Sequence, residues 1–143
     1  MPQALSDENA NATRPTPEVS VVIPVCNEED NVEPLAREIA AALGGRYAHE
    51  IVFVDDGSTD GTAAVALRAR ETGLPQLRLL RHGVRSGQSA AVATGVRAAR
   101  APLIATLDGD GQNDPADLPR LIVTLRAAPS DCFPVGRFSR RIV

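Results

Sequence analysis

The feature that most constrains the fold of this chain is a fourfold alternation of short apolar runs with longer helical patterns. The apolar runs are rich in β-branched residues and show no polar alternation, which is typical of strands covered on both faces. Each helical pattern follows a cap or breaker residue. The runs and the patterns that follow them are VSVVIP with NVEPLAREIAAAL, EIVFVDD with GTAAVALRARET, LRLL with QSAAVATGVRAAR, and LIATLDGD with PADLPRLIVTLRA. The alternation predicts an α/β fold with an open, mainly parallel sheet and flanking helices.

The same pattern divides the 143 residues into three parts. Residues 1–17 are polar, lack periodicity and include Pro15 and Pro17, so they are predicted to form a disordered leader. Residues 18–128 carry the alternation and are predicted to form one domain. Residues 129–143 show a weak pattern with several arginines, and an irregular basic tail is predicted there.

Charge and composition disfavour several classes of protein. The formal net charge of -3 argues against a nucleic-acid surface, so no nucleic-acid partner is expected. Cys26 and Cys132 fit neither a metal spacing nor a disulfide framework, which indicates a reducing compartment. No apolar stretch approaches the ~20 residues of a membrane span, and the first residues lack the apolar core of a signal peptide. A cytoplasmic location is predicted.

The polar clusters of the chain follow the ends of the four apolar runs. They read PVCNEED, DDGSTDG, RHGVRSGQS and DGDGQNDP in chain order. In open parallel sheets the ligand crevice lies outside the carboxyl ends of the strands. All four clusters are therefore predicted to meet at one edge of the sheet and to form a binding site there.

The fourth cluster is a candidate metal site. If the chain stays extended, Asp108 and Asp110 point to the same side, and two unpaired carboxylates would need a divalent cation or arginines nearby. Oxygen ligands without His or Cys favour Mg²⁺ or Mn²⁺, and Gln112 offers a further amide oxygen. A calcium loop of the EF-hand type is excluded because Asn113 and Pro119 stand where Gly and Glu are required.

The first two clusters offer candidate ligands for a base or a ribose. Asp55 and Asp56 are neighbours at the end of a buried run, so one is expected to face the crevice and the other to hold the turn. The residues alone do not rank the two. Residues 58–60 are interpreted as a cap for the following helix. In the first cluster, Pro24 stiffens the strand exit and Glu28 lies within reach of a ligand.

The third cluster is basic and glycine-containing. Gly87, at the predicted start of a helix and beside Gln88, would allow close approach of the backbone to a phosphate. Arg81 or Arg85 would neutralise that phosphate. His82 is interpreted as a surface or capping residue.

Three alternatives for an acid-rich α/β domain are disfavoured. No GxGxxG follows the first run, which argues against dinucleotide binding, and no GxxxxGK[ST] is present for a P-loop. A phosphoacceptor receiver domain also clusters aspartates at strand ends, but it would need a lysine at a later strand end. This chain has no lysine.

Four linked motifs resemble the nucleotide-binding half of glycosyltransferase family 2, which has the GT-A fold. They are VSVVIPVCNEEDNV, EIVFVDDGSTDGT, SGQSAAVATGVRAA and LDGDGQNDPADLPRL. Within the family they look closest to dolichyl-phosphate mannosyltransferases and polyprenyl-phosphate glycosyltransferases. The resemblance covers about residues 19–127 and implies inverting transfer of a sugar from a GDP- or UDP-sugar to a lipid phosphate at the cytoplasmic face of a membrane.

The resemblance also implies roles for individual residues. The residues that it assigns to the base and ribose are Pro24, Glu28, Val54 and Asp56, with Asp55 sharing that contact. Asp108, Asp110 and Gln112 would hold Mg²⁺ or Mn²⁺ on the diphosphate, with Asp108 and Asp110 as the catalytic carboxylates.

Two departures from the family pattern are visible. Cys26 stands where the family usually has an aromatic residue beside the base. Family members also continue well past the metal motif, whereas this sequence stops at Val143, so a truncated chain is expected. The alternative function is therefore a catalytically inactive fragment that binds nucleotide sugar.

Overall fold

A computed structural model describes residues 3–4, 15–127 and 141–142 of the protein. The strands are β1 (Gln3–Ala4), β2 (Val19–Val25), β3 (His49–Asp55), β4 (Leu77–Arg81), β5 (Leu103–Thr106) and β6 (Arg141–Ile142). The helices are α1 (Glu29–Leu43), α2 (Thr62–Glu71), α3 (Gln88–Ala98) and α4 (Leu118–Ala127), with a single 3₁₀ turn at Pro115–Asp117 before α4. The predicted alternation of strands and helices is confirmed.

The strands form one sheet in the order β1-β4-β3-β2-β5-β6. Its four central strands are parallel, which confirms the predicted fold class. The register aligns Val25 with Asp55 and Asp55 with Arg81, so β2, β3 and β4 end at the same level. Beside them, the N–H of Leu107 donates to the carbonyl of Val22, 3.1 Å away, just after β5 ends. The four polar loops therefore leave the sheet at one edge, as predicted.

Helices cover both faces of the sheet. Alternate residues of a strand point to opposite faces, and those represented by Val21, Ile23 and Phe53 pack in a core with α1, α2 and α4. On the other face Val22 and Val54 pack beneath α3. Gly95 permits this close packing, because a Cβ there would overlap the Val22 side chain and lie 3.1 Å from Val54 Cγ2.

A buried carboxylate links the strands near their amino-terminal ends, opposite the polar loops. Glu50 on β3 is 5% exposed and accepts hydrogen bonds from the Ser20 hydroxyl at 2.6 Å and from the Arg100 N–H at 2.8 Å. Arg78 Nη1 donates to the second oxygen of Glu50 at 3.0 Å and to the carbonyl of Ala98 at the end of α3. The network links β2, β3 and β4 to the segment that leads into β5.

Much of the predicted leader and tail lies outside the described residues, namely residues 1–2, 5–14, 128–140 and 143. Two short strands in those regions were not predicted. Gln3 and Ala4 pair antiparallel with Arg81 and Leu80, and Arg141–Ile142 pair parallel with β5.

Candidate active site

A cavity of about 290 Å³ lies at the edge where the four polar loops meet. Each of the four loops contributes to its wall. The lining residues are Pro24, Val25, Cys26, Glu28, Asp56, Arg85, Gly87, Gln88, Asp108, Gly109 and Asp110. A cavity walled by polar loops at the carboxyl ends of parallel strands is where ligands bind in this class of fold.

The loops after β2 and β3 are joined by hydrogen bonds in both directions. The N–H of Asn27 donates to the Ser58 hydroxyl at 2.9 Å, and the N–H of Thr59 donates to the Asn27 side-chain carbonyl at 2.9 Å. Asn27 adopts a left-handed backbone conformation with φ of 55°, which asparagine tolerates better than most residues. These contacts fix the backbone that leads to Glu28 on the cavity wall.

The two following helices cap each other. The N–H of Glu28 donates to the Thr62 hydroxyl at 2.9 Å, and the N–H of Glu29 lies 3.4 Å from an Asp60 carboxylate oxygen. In return the Glu29 carboxylate accepts from the N–H of Gly61 at 2.8 Å. Asp60 also accepts from the N–H of Thr62, so the predicted capping of α2 is confirmed for this residue. Unsatisfied N–H groups at two helix starts are thus paired across the loops.

Asp55 and Asp56 have different roles in the structure. The Asp55 side chain is fully buried on the α1 side, where it accepts from the N–H of Ser58 at 2.9 Å and from Arg81 Nε at 3.2 Å. Asp56 lies on the cavity wall. Of the two acids that the sequence left unranked, the structure places Asp56 at the cavity and Asp55 in the turn.

The Asp56 carboxylate is held by three donors. Its Oδ1 accepts from the N–H of Ser86 at 2.8 Å and lies 2.8 Å from His82 Nδ1, and its Oδ2 accepts from the N–H of Gly87 at 2.8 Å. Burial raises the pKa of Asp56, but hydrogen bonds from His82, Ser86 and Gly87 outweigh this effect and hold the pKa below its ordinary value. Asp56 is therefore an anion at neutral pH.

Replacing Asp56 by Asn is expected to destabilise the fold in a pH-dependent way. Because folding lowers the pKa of Asp56, its stabilisation is fully present above the ordinary value of 3.8 and is lost as the pH falls through the lower folded value. We expect Asp56→Asn to lower the free energy of unfolding by about 2 kcal/mol at pH 7 and by less at pH 3. Urea unfolding at both pH values measures this. The exposed Asp30→Asn is the control, and an equal loss at both pH values would contradict the expectation.

Asp108 and Asp110 reach the cavity by a route that differs from the prediction. The condition that the chain stays extended through Asp110 is not met, because β5 ends at Thr106 and Gly109 and Asp110 form a turn. A Cβ on Gly109 would lie 2.9 Å from the carbonyl oxygen of Pro24, so glycine lets the acidic loop cross closely over the end of β2. The turn brings both carboxylates to the cavity wall.

The donor set of the acidic loop fits a magnesium or manganese ion that shares its coordination with a substrate. Over residues 15–127 there is no group of three or more His, Cys, Asp and Glu residues able to hold a metal ion. Two carboxylates from one loop, with phosphate oxygens and water completing the shell, are what Mg²⁺ commonly accepts. Asp108 Oδ1 accepts from Gln88 Nε2 at 3.1 Å, and Asp110 Oδ1 from the N–H of Gln112 at 3.0 Å.

The cavity wall carries one cation among the described residues. Arg85 lies there, and no ion pair or hydrogen bond of its guanidinium is present in the described part of the chain. Arg81, the other basic residue that the sequence offered for a phosphate, is paired with Asp55 and does not line the cavity.

Most of the predicted site residues come together, and a few do not. Those that line the cavity are Pro24, Glu28, Asp56, Gly87, Gln88, Asp108 and Asp110. Val54 is fully buried beneath α3, and the side chains of Asp55 and Gln112 lie outside the cavity lining. His82 was interpreted as a surface or capping residue, which is wrong, because its side chain is 8% exposed and contacts Asp56.

The family model described as Glycosyl transferase family 2 matches residues 20–142, a span that includes every loop of the cavity. The chain belongs to glycosyltransferase family 2. The resemblance read from the four motifs is confirmed.

The chain is also similar in sequence to curated glycosyltransferases and in fold to a solved structure of one. The chain is 43% identical to dodecaprenyl-phosphate galacturonate synthase of Rhizobium johnstonii, over 87% of this chain and 37% of that protein. It is 40% identical to undecaprenyl-phosphate 4-deoxy-4-formamido-L-arabinose transferase of Klebsiella pneumoniae, over 76% of this chain and 33% of that protein. A mannosyltransferase of Pyrobaculum calidifontis in complex with GDP-Man and Mn²⁺ superposes with a TM-score of 0.70 at 30% identity, covering 81% of this chain and 34% of that one.

These comparisons confirm the predicted GT-A fold. The chain spans about a third of the length of the curated relatives that it matches. None of the helices within residues 15–127 has the length and apolar character needed to cross a membrane.

Proposed function

We propose that this chain forms the donor-binding part of a glycosyltransferase that moves a sugar, with inversion, from a nucleoside diphosphate to a polyprenyl or dolichyl phosphate. The observation that carries the proposal is the meeting of Glu28, Asp56, Arg85, Asp108 and Asp110 in one cavity at the carboxyl ends of the strands. The names of the two curated relatives, a dodecaprenyl-phosphate synthase and an undecaprenyl-phosphate transferase, support a lipid phosphate as the acceptor.

The donor's base and ribose are assigned to the side of the cavity formed after β2 and β3. Glu28 and Asp56 carry the acceptor oxygens there, and Pro24 lines the cavity with them. An ionised Asp56 accepts from the N–H of a base or a ribose hydroxyl with the lone pair that its three protein donors leave. Val54 and Asp55 support this wall from behind rather than touching the donor.

The diphosphate is assigned to the opposite side. Asp108 and Asp110 would hold Mg²⁺ or Mn²⁺, and Gln112 fixes Asp110 through its backbone N–H. When bound, the ion supplies positive charge that opposes the charge developing on the leaving diphosphate. The guanidinium of Arg85 is a permanent positive charge that would also oppose the charge on the diphosphate. Gly87 lets the backbone at the start of α3 approach a phosphate.

The chemistry of the acceptor matches the residues of the cavity. An oxygen of the lipid phosphate attacks the anomeric carbon on the face opposite the leaving group, the bond from that carbon to the diphosphate oxygen breaks, and the nucleoside diphosphate leaves. A phosphate oxygen is already anionic at neutral pH, so the acceptor needs no strong general base. No histidine lines the cavity among the described residues. The reaction is placed at the cytoplasmic face of a membrane, where a lipid phosphate is accessible.

The test separates donor binding from transfer. Calorimetric titration of GDP and UDP into the folded chain, with and without Mn²⁺, is expected to show metal-dependent binding with a preference for one base. A second assay follows the transfer of a labelled sugar from a nucleoside-diphosphate sugar with the preferred base to undecaprenyl phosphate in detergent. A folded chain that binds neither nucleotide would overturn the donor assignment. Binding without transfer would instead favour the alternative of an inactive nucleotide-sugar-binding fragment.

A further inference from the structure

His82 lies behind the cavity wall, between Asp56 and helix α3. Nδ1 of its ring is 2.8 Å from Asp56 Oδ1 and Nε2 is 2.8 Å from the Thr94 hydroxyl on α3. The main-chain N–H of His82 donates to the carbonyl of Asp55 at 2.9 Å, so the backbone of the residue is fixed as well. His82 does not line the cavity itself. Any effect of this ring on a ligand must therefore pass through Asp56.

Asp56 also forms hydrogen bonds with the loop between β4 and α3. The carboxylate accepts hydrogen bonds from the N–H groups of both Ser86 and Gly87. Gly87 has φ of 99°, which L side chains rarely adopt, and this turn, residues 82–87 between β4 and α3, belongs to no helix or strand. A chain of hydrogen bonds thus runs from Thr94 through His82 and Asp56 to the turn beside Arg85 and Gln88.

The chemistry of the three side chains defines what the network does. An ionised carboxylate has no proton to donate, so His82 Nδ1 must carry the hydrogen that points to Asp56. Nε2 then accepts from the Thr94 hydroxyl when the ring is neutral and donates to it when the ring is protonated. The order Asp, His, Thr is that of a nucleophile triad. Thr94 is nevertheless 6% exposed and lies outside the cavity lining, so it cannot reach a substrate.

We infer that His82 is a positioning residue of the donor site, which orients the Asp56 carboxylate and, through it, sets the shape of the Ser86–Gly87 turn. Its consequence for nucleotide binding rests on the proposed function. Its consequence for the turn does not, because the contacts with Ser86 and Gly87 are made by Asp56 itself.

Three substitutions at His82 separate the two ring nitrogens. The amide nitrogen of Asn lies close to the position of Nδ1, so His82→Asn keeps a donor for Asp56. The longer Gln places its amide near Nε2 and keeps only the contact with Thr94, and Leu removes both contacts. Loss of one hydrogen bond to a charged group corresponds to roughly tenfold weaker nucleotide binding. We expect that loss for His82→Leu and His82→Gln, and an affinity within about threefold of the wild type for His82→Asn.

The decisive readout is amide hydrogen exchange at Ser86 and Gly87 in the nucleotide-free chain, measured by NMR. We expect faster exchange in His82→Leu and restored protection in His82→Asn, with unchanged protection of Val21 and Ile23 in β2 showing that the sheet is intact. If His82→Leu does not fold, Thr94→Val cuts the same chain at its other end while keeping the side-chain shape. A smaller acceleration at the same two amides is expected.

The outcomes distinguish the positioning role from the proposed function. Equal exchange at Ser86 and Gly87 in the wild type, His82→Leu and Thr94→Val overturns the positioning role, and so does a His82→Asn variant as poorly protected as His82→Leu. The expected exchange pattern in a chain that binds neither GDP nor UDP supports the positioning of the turn and overturns the proposed function alone.

Discussion

Replacing Asp110 by Ala is expected to abolish the metal-dependent part of nucleotide binding, and so is Asp108→Ala. The two carboxylates are the acids that the β5–α4 loop brings to the cavity. Both side chains are exposed and would each supply one of the two protein ligands of the ion. Substituting a residue that supports a bound metal typically weakens metal affinity by about 10- to 100-fold, and loss of a direct ligand lies at the upper end, so the affinity for GDP or UDP in Mn²⁺ should fall by on the order of 100-fold. Calorimetric titration of the wild type and both variants, with and without Mn²⁺, measures the effect.

The control for these variants is Asp117→Ala. Asp117 is an exposed acid that lies just beyond the same loop and outside the cavity lining, so its removal changes the net charge equally without touching the candidate metal site. Binding measured without metal should be no weaker in Asp108→Ala or Asp110→Ala than in the wild type, because each removes a negative charge near the diphosphate. Mn²⁺-dependent affinity that is unchanged in both variants would remove the metal assignment.

The largest effect on stability is expected at Glu50. Glu50 is 5% exposed, and its carboxylate accepts hydrogen bonds from the Ser20 hydroxyl, the Arg100 N–H and Arg78 Nη1. Glu50→Ala leaves these donors without their acceptor in a buried place, and breaking a buried charge pair in this way typically costs about 3–5 kcal/mol. Urea unfolding followed by circular dichroism should show a correspondingly lower free energy of unfolding.

Two further variants make this expectation specific. Glu33→Ala breaks an exposed pair with Arg37 one helical turn away, which is expected to cost less than about 0.5 kcal/mol. Glu50→Gln keeps one acceptor oxygen and should fall between the wild type and Glu50→Ala, and it serves in place of Glu50→Ala if that variant does not fold. A Glu50→Ala protein as stable as Glu33→Ala would show that the network adds little to the fold.

The strands and helices were predictable because their signals are local. A buried parallel strand reads as a continuous run such as VSVVIP, and caps mark the helix starts. The rule that ligands bind at the carboxyl ends of parallel strands then placed the polar loops on one edge. Asp108 and Asp110 were placed correctly at the cavity for a partly wrong reason, since a turn at Gly109 rather than an extended strand delivers them.

The contacts that decide the role of each acid were not predictable, because they join residues far apart in sequence. Asp55 was separable from Asp56 only through its pairing with Arg81, 26 residues further on, in the next strand of the sheet. His82 looks like an isolated surface histidine until the fold brings it to Asp56. Strand periodicity says which face a residue points to, and it does not say which side chain from a neighbouring strand meets it there.

The reciprocal caps between the first two loops bear on how this site can be altered by evolution or by engineering. Asn27 lies in the loop after β2 and Glu29 starts the helix that follows it, whereas Thr59 and Asp60 lie in the loop after β3, yet each segment supplies hydrogen-bond partners of the other. A loop transplanted alone from a related enzyme would therefore arrive without its partner and leave helix-start N–H groups unpaired. The two loops form one structural unit. A chimera designed to change the preference for the nucleotide base should therefore exchange both loops together.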